Sequence, residues 1–393
     1  MTPQARVQAA IEILDAVIAA AQGGGASADR IVADWFRTRR FAGSKDRRAV
    51  RELVYGAIRA CGPVPQSGRA AMLRLAQGEL DLLTLFDGSR HGPAPIVAGE
   101  AIAESGTAPA WLEAALAQSG IHTEQAASLL GRAPLDIRVN TLRADRSTIA
   151  LPEQGDPIAA PQGLRLPSGT AVEQWDAYQH GLIEVQDGGS QIACQAVGAR
   201  PGETVIDLCA GAGGKTLALA AAMENRGPLI ACDTDRSRLS RLAPRAERAG
   251  ATFIETRLLN PNAERNALDD LTGQADAVLV DAPCSGTGTW RRNPEARWRL
   301  SEREVARYAA IQSRLLDLAA QLVSPGGRVI FVTCSLLDAE GADQAKAFLA
   351  RHPEWRADLP LLPAGSPRGA GWRLSPWADG TDGFFIASFG SPC

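Results

Sequence analysis

Apolar residues spaced three and four apart open the chain. Val7, Ile11, Leu14, Val17 and Ile18 share one face of a helix predicted over residues 4–22, which Gly23-Gly24-Gly25 ends. Helical patterns recur at 28–42, 46–61, 69–77, 79–86, 94–104 and 109–119. The chain up to about residue 130 therefore reads as all-helical. From 133 to 186 the period changes, with extended runs at Asp136–Asn140, Gly163–Leu166 and Leu182–Val185 among Pro, Gly and charged residues. This stretch reads as a small α+β module. From 203 strands alternate with helices. The strands are Thr204–Cys209, Leu229–Asp233, Thr252–Glu255, Ala277–Asp281 and Arg328–Thr333; helices are expected at 215–224, 235–249 and 303–323. Such alternation implies right-handed βαβ crossovers and a mostly parallel, doubly wound sheet. Phe384–Phe389, arriving after a Pro/Gly-rich loop, suits a reversed strand added to that sheet. The expected division is 1–130, 131–186 and 187–393.

Composition narrows the class. The 393 residues are 45% apolar and 22% charged, enough for two or three domains with real cores. A net charge of −3 excludes a histone-like basic coat but leaves room for a local basic groove. Residues 30–51 carry eight Lys or Arg against Asp34 and Asp46, which reads either as a solvated helical face or as an RNA-phosphate surface. Seven scattered Cys without a Cys-x-x-Cys pair argue against structural zinc or a disulfide framework, and no metal site is expected. Free thiols, no signal-peptide core and no long apolar run fit a soluble protein of the reducing cytoplasm.

The first strand of the alternating region runs into Asp207-Leu208-Cys209-Ala210-Gly211-Ala212-Gly213-Gly214-Lys215-Thr216. Small residues here let the backbone approach a ligand, and the following helix offers free N–H groups. A phosphate-binding P-loop would need Gly where Cys209 stands. Asp233, ending the second strand, can accept hydrogen bonds from ribose hydroxyls. Nicotinamide dinucleotide and S-adenosylmethionine both remain open on these residues. The fourth strand ends Asp281-Ala282-Pro283-Cys284-Ser285, and the fifth ends Thr333-Cys334-Ser335. One strand-end Cys is ordinarily a buried small hydrophobe. Two at neighbouring strand ends beside a nucleoside pocket point to covalent chemistry on a base. C5 of cytosine is a poor nucleophile; a thiolate added to C6 turns the ring into an enamine whose C5 can attack an electrophilic methyl.

At these residues the chain resembles the Sun-type, RsmB-like RNA cytosine-5 methyltransferases. The likeness lies in Val185-Gln186-Asp187, Ser190-Gln191, the 207–216 loop, Asp281–Ser285, Arg291-Arg292-Asn293-Pro294, Pro325-Gly326-Gly327, Thr333–Ser335 and Asp382-Gly383-Phe384-Phe385, and spans roughly 133–393. The resemblance implies a Rossmann-like methyltransferase sheet with Cys334 as nucleophile, Cys284 assisting product release and Asp281 between cofactor and base. It implies S-adenosylmethionine held by Cys209, Ala210, Gly211, Ala212, Gly213, Gly214, Lys215, Asp233 and Asp281. Asp46-Arg47-Arg48 and Leu53-Val54-Tyr55-Gly56 resemble a NusB-like helical RNA-binding domain, and residues 131–186 would match a small RRM-like subdomain. Ribosomal RNA is then the expected substrate and transfer RNA the runner-up, with a monomer acting away from membranes.

Three positions depart from that family's pattern. The loop reads Ala-Gly-Ala-Gly-Gly where Ala-Ala-Pro-Gly-Gly is usual. Arg257 stands where an acid would contact adenine. Ala339-Glu340-Gly341 replaces Glu-Glu-Asn, and no role follows from it. Arg291 and Arg292, with Arg297, Arg299, Arg303 and Arg307 and interleaved Trp290 and Trp298, suit RNA backbone and stacked bases; the bland alternative packs the Trp side chains inward. A non-catalytic RNA-binding or ribosome-assembly factor and a nicotinamide oxidoreductase are the competing classes. The second leaves the two strand-end thiols unexplained.

Overall fold

The computed structural model describes residues 1–358 and 360–393. The chain forms two compact units, Met1–Gly131 with Thr289–Glu302, and Arg132–Gly288 with Arg303–Cys393.

The first unit is helical, with helices Pro3–Gly23, Ala28–Thr38, Ser44–Ala60, Gly68–Gly78, Leu80–Leu83, Ala110–Gln118 and Thr123–Ser128. The opening helix is capped by Thr2, whose side chain accepts from Ala5 N–H, and ends at left-handed Gly24. Its face Val7, Ile11, Leu14, Val17 and Ile18 is buried as its period requires. The helix expected at 94–104 does not form. Pro95 and left-handed Gly99 interrupt it, and Arg69 donates to the Ala94 and Pro95 carbonyls and grips Glu100. Residues 289–302 also belong to this unit, which the expected boundaries did not anticipate. Trp298 joins the helical core and donates to Gly62 O at 3.1 Å. Arg297, fully buried, donates to the carbonyls of Ile58 and Cys61, each at 2.6 Å. Glu295 accepts from Ala28 N–H at the start of the second helix.

The second unit holds two sheets. In the small antiparallel sheet the order is β2-β3-β1-β4, with β1 Leu135–Val139, β2 Asp156–Pro157, β3 Gly163–Leu166 and β4 Ile183–Val185. The large sheet comprises, among the described residues, β5 Val205–Asp207, β6 Leu229–Asp233, β7 Ile254–Leu258, β8 Ala275–Asp281, β9 Val323–Thr333, β10 Arg356–Ala357, β11 Ser366–Arg368, β12 Gly371–Leu374 and β13 Phe384–Gly390. The order is β11-β12-β13-β9-β8-β5-β6-β7, with β10 on β13. The five strands from β9 to β7 are parallel and β13 runs against β9, the reversed strand the sequence suggests.

Period-two alternation builds this core. Val205, Leu229, Ala231, Ala277, Leu279, Ile330 and Val332 join one apolar layer, while Ile206, Ile230, Val278, Val280, Val329 and Phe331 join the opposite one. Helix residues from 188–197, 214–222 and 242–249 complete the first layer, and those from 302–322 and 342–351 the second. The single helix expected over 235–249 is two, Arg236–Leu239 and Leu242–Ala249. Pro244 has no N–H to donate, so it sits in the first turn of a new helix rather than inside a continuous one. Strand β7 lies two residues beyond its expected start; it is the sheet's edge, and its weak burial leaves little pattern to read.

Candidate active site

Strand order reverses between β5 and β8, so the loops leaving their carboxyl ends part and open a crevice. Asp207 ends β5, and the loop that follows turns through Gly211 and Gly213 at φ +56° and +84°. A Cβ at Gly213 would lie 2.1 Å from Leu242 Cδ1, so only glycine fits beneath that helix. Asp233, at the end of β6, accepts Gly211 N–H and Asp235 N–H, both at 2.7 Å, and thereby pins the loop. Lys215, in the first turn of helix Gly214–Ala222, donates to Asp281 Oδ2 at 2.7 Å and lies 5.5 Å from the centre of the Phe384 ring. Burial works against the Lys215 charge, but the Asp281 carboxylate overrides it and holds the ammonium above its ordinary range. Gln186 ties this loop to the small sheet: it accepts from Arg138 Nε at 2.7 Å and donates to Gly214 O at 3.4 Å.

Asp207, Asp233 and Asp281 border the loop together with Lys215, Arg238, which lies against Gly211, and Arg245, which donates to Ala212 O at 2.7 Å. The small residues 210–214, the strand-end acid Asp233 and the Lys215–Asp281 pair are chemically compatible with a nucleoside such as S-adenosylmethionine. Arg257, in the stretch where an adenine contact is unassigned, is committed elsewhere. Its guanidinium takes both oxygens of Asp270 at 2.6 and 2.9 Å and Glu255 at 2.6 Å.

Beyond Asp281, the chain turns through Pro283 to Cys284. From the adjacent strand end β9 delivers Cys334, and the two sulfurs stand 3.3 Å apart. Both are partly exposed, unlike Cys61, Cys194 and Cys232, which are buried. The shared hydrogen bond with Cys334, then burial and the Glu340 charge, hold the Cys284 thiol well above its ordinary range. Cys284 is thus held as a thiol, 3.3 Å from the Cys334 sulfur. Burial likewise raises Cys61 and Cys194 to about 11 and keeps Cys209 a thiol, so none of these competes as a nucleophile. Gly288, whose N–H donates to Cys334 O at 2.9 Å, meets Gly383 backbone to backbone; a Cβ there would strike Gly383 O at 2.1 Å.

One cluster was silent in the sequence. Glu340, fully buried in the loop after β9, accepts Ser285 N–H at 2.8 Å and Ser335 Oγ–H at 2.6 Å, with the Ser285 hydroxyl and Gln312 also on it. Its only sequence signal is an acid six residues after Cys334, inside a motif that otherwise departs from its expected form.

The expected RNA-contacting pair needs correction. Arg291 and Trp290 are buried, Arg292 is half-buried, and Arg297 and Trp298 face the interior of the helical unit. Much of the Arg–Trp mixture packs inward, because the Trp298 ring joins the helical core and the buried Arg297 guanidinium satisfies helix-end carbonyls.

Residues 194–390 match the family described as 16S rRNA methyltransferase RsmB/F. A probable ribosomal RNA small subunit methyltransferase B of Synechocystis sp. is 34% identical over 295 residues, covering 71% of this chain and 66% of that one. Ribosomal RNA small subunit methyltransferase B of Erwinia tasmaniensis is 36% identical over 262 residues, covering 65% and 59%. The chain thus spans under two thirds of the length of these relatives. The crystal structure of PH0851 superposes with a TM-score of 0.74 at 24% identity over 99% of each chain. NSun6 from Pyrococcus horikoshii with SFG gives 0.60 at 18% identity over 71% of this chain and 97% of that one. Both show the fold. With half of its length matched, including both thiol-bearing strand ends and the glycine loop, the chain belongs to the RsmB/F family of 16S rRNA methyltransferases.

Proposed function

We propose that the chain is an S-adenosylmethionine-dependent RNA (cytosine-5) methyltransferase acting on ribosomal RNA through a covalent bond between Cys334 and cytosine C6. The observation that carries this is the pair of sulfurs 3.3 Å apart at adjacent strand ends beside the nucleoside crevice. The names of the curated relatives support the substrate class. S-adenosylmethionine, held by residues 209–215, Asp233 and Asp281, supplies an electrophilic methyl group when bound.

Cys334 attacks as the thiolate, and its electron pair becomes the C6–S bond while the ring's displaced pair makes C5 nucleophilic. Asp281 accepts from the exocyclic amine, and from N3 once N3 takes a proton from water, which eases the addition. Lys215 holds that carboxylate in place. When C5 later gives up its proton to water, the C5–H pair re-forms the C5–C6 double bond and the C6–S pair returns to sulfur. Cys284, 3.3 Å from Cys334, assists the departure of its sulfur. The exposed cations Arg30, Arg37, Arg40, Lys45, Arg47, Arg48 and Arg51 of the helical unit support RNA contact there, in keeping with a NusB-like role.

Transfer of tritiated methyl groups to ribosomal RNA tests the assignment. Cys334→Ala is expected to abolish labelling, and Cys284→Ala to accumulate an RNA–protein adduct that survives denaturing electrophoresis. A fully active Cys334→Ala enzyme would falsify it. Bisulfite sequencing of RNA from cells with and without the protein identifies the cytosine.

A further inference from the structure

Glu340 is a carboxylate with no exposed surface, and its hydrogen-bond partners are neutral: Ser285 N–H, the Ser285 and Ser335 hydroxyls, and Gln312 Nε2. Burying a carboxylate is costly, and an apolar side chain of similar size fills such a space more cheaply. What this one does is visible in what it holds. Ser285 directly follows Cys284, and Ser335 directly follows Cys334. The two serine hydroxyls lie 3.2 Å from each other and converge on the same oxygen, Oε2. The Glu340 backbone carbonyl also accepts Thr333 Oγ1–H at 3.1 Å, on the other side of Cys334. Thr287 extends the clamp, lying 3.1 Å from Ser335 Oγ and accepting Leu336 N–H at 2.9 Å. Gln312 joins it to the chain before Cys284, donating to Pro283 O at 2.9 Å.

We infer that Glu340 is a positioning residue for the two thiols, its carboxylate setting their separation and orientation for attack on a base by binding the residue that follows each cysteine. This rests on the covalent cytosine-5 reading for its consequence in turnover, but its geometry does not depend on it. The carboxylate has a second effect of the same sign. Its negative charge is among the causes that keep Cys284 a thiol, so removing it makes Cys284 easier to ionise. Glu340 touches neither reacting sulfur and acts through the serines. A one-sided substitution should leave the crevice intact while misaligning the nucleophile, and misplacement of a reacting group by about 1 Å costs up to about a hundredfold in rate.

The test compares wild type, Glu340→Gln and Ser335→Ala in three measurements: steady-state methylation of ribosomal RNA, the rate of adduct formation on RNA carrying 5-fluorocytidine, and the rate and pH dependence of Cys284 and Cys334 alkylation without RNA. Expected for Glu340→Gln is an unchanged RNA KM, with kcat and adduct rate falling together by about tenfold or more. Its Cys284 should be alkylated at lower pH than in wild type. Ser335→Ala, which removes one arm of the clamp, should show the same pattern at smaller amplitude. A folded Glu340→Gln with wild-type adduct rate and alkylation profile overturns the inference. Should Glu340→Gln fail to fold, wild-type behaviour of Ser335→Ala overturns it instead. If wild type itself forms no adduct, the cytosine-5 reading falls, and the RNA-free alkylation profiles still decide the positioning role.

Discussion

Asp207 shows how one buried acid ties the cofactor loop to pH. Its carboxylate ends β5 with no exposed surface and accepts Thr216 Oγ1–H at 2.7 Å. Burial first, and the neighbouring Asp281 charge second, raise its pKa to about 7, against the pull of the Thr216 hydroxyl and the Lys215 ammonium. An unfolded Asp titrates near about 4. Between about pH 4 and 7 the folded chain therefore keeps a proton that the unfolded chain has lost. The resulting stabilisation is complete below about pH 4 and drains away as pH rises through about 7. It amounts to a few kcal/mol, since each tenfold gain in proton affinity on folding is worth roughly 1.4 kcal/mol. Asp207→Asn has no proton to lose. Its melting temperature relative to the parent should therefore rise between pH 5 and pH 8, and parallel pH profiles for the two proteins would refute the account. Because the same residue anchors the glycine loop, S-adenosylmethionine affinity of the parent, read by calorimetry, should vary over this pH range more than that of the variant.

At the level of elements, what could be read in advance was what depends on short-range pattern. Strands β5, β6, β8 and β9 are legible because each sends alternate apolar residues into two buried layers. The site residues at their ends came with them, since a strand's carboxyl end is fixed once the strand is. Glu340 and Arg297 were not legible. Their partners lie up to 55 and 239 positions away, and no local periodicity encodes so distant a pairing. The Arg–Trp stretch at 290–299 misleads for the same reason: surface and core uses of arginine look alike until the acceptors are known. The basic stretch on helices Ala28–Thr38 and Ser44–Ala60 remains a surface feature, with Arg40, Lys45 and Arg48 exposed. Reversing these three charges to Glu should weaken RNA binding without changing base preference. It should also flatten the dependence of log affinity on log salt by about 0.7–0.9 for each phosphate no longer neutralised. Filter binding across a salt series measures both, and an unchanged slope would show the face to be merely solvated.

At the level of the whole molecule, the helical unit is not a contiguous stretch of chain. The chain leaves it at residue 131 and returns for 289–302 before completing the α/β unit. The returning segment carries two buried tryptophans, Trp290 and Trp298, and the buried charges Glu295 and Arg297. Beyond its own segment, Arg297 donates to Ile58 and Cys61, and Arg299 to Ala20, Gly25 and Ala26, all within residues 1–131. Removing residues 1–131 thus does more than delete a domain. It uncovers the Trp298 ring and strands a guanidinium and a carboxylate without those partners, a combination that favours aggregation. The deletion should be largely insoluble. The same deletion with 289–302 replaced by a Gly/Ser loop should be soluble and still bind S-adenosylmethionine, because the loop 209–215, Asp233 and Asp281 all lie in the other unit. Soluble yield and calorimetric titration distinguish the two variants. If the simple deletion is as soluble as the loop-replaced one, the segment is not an integral part of the helical core.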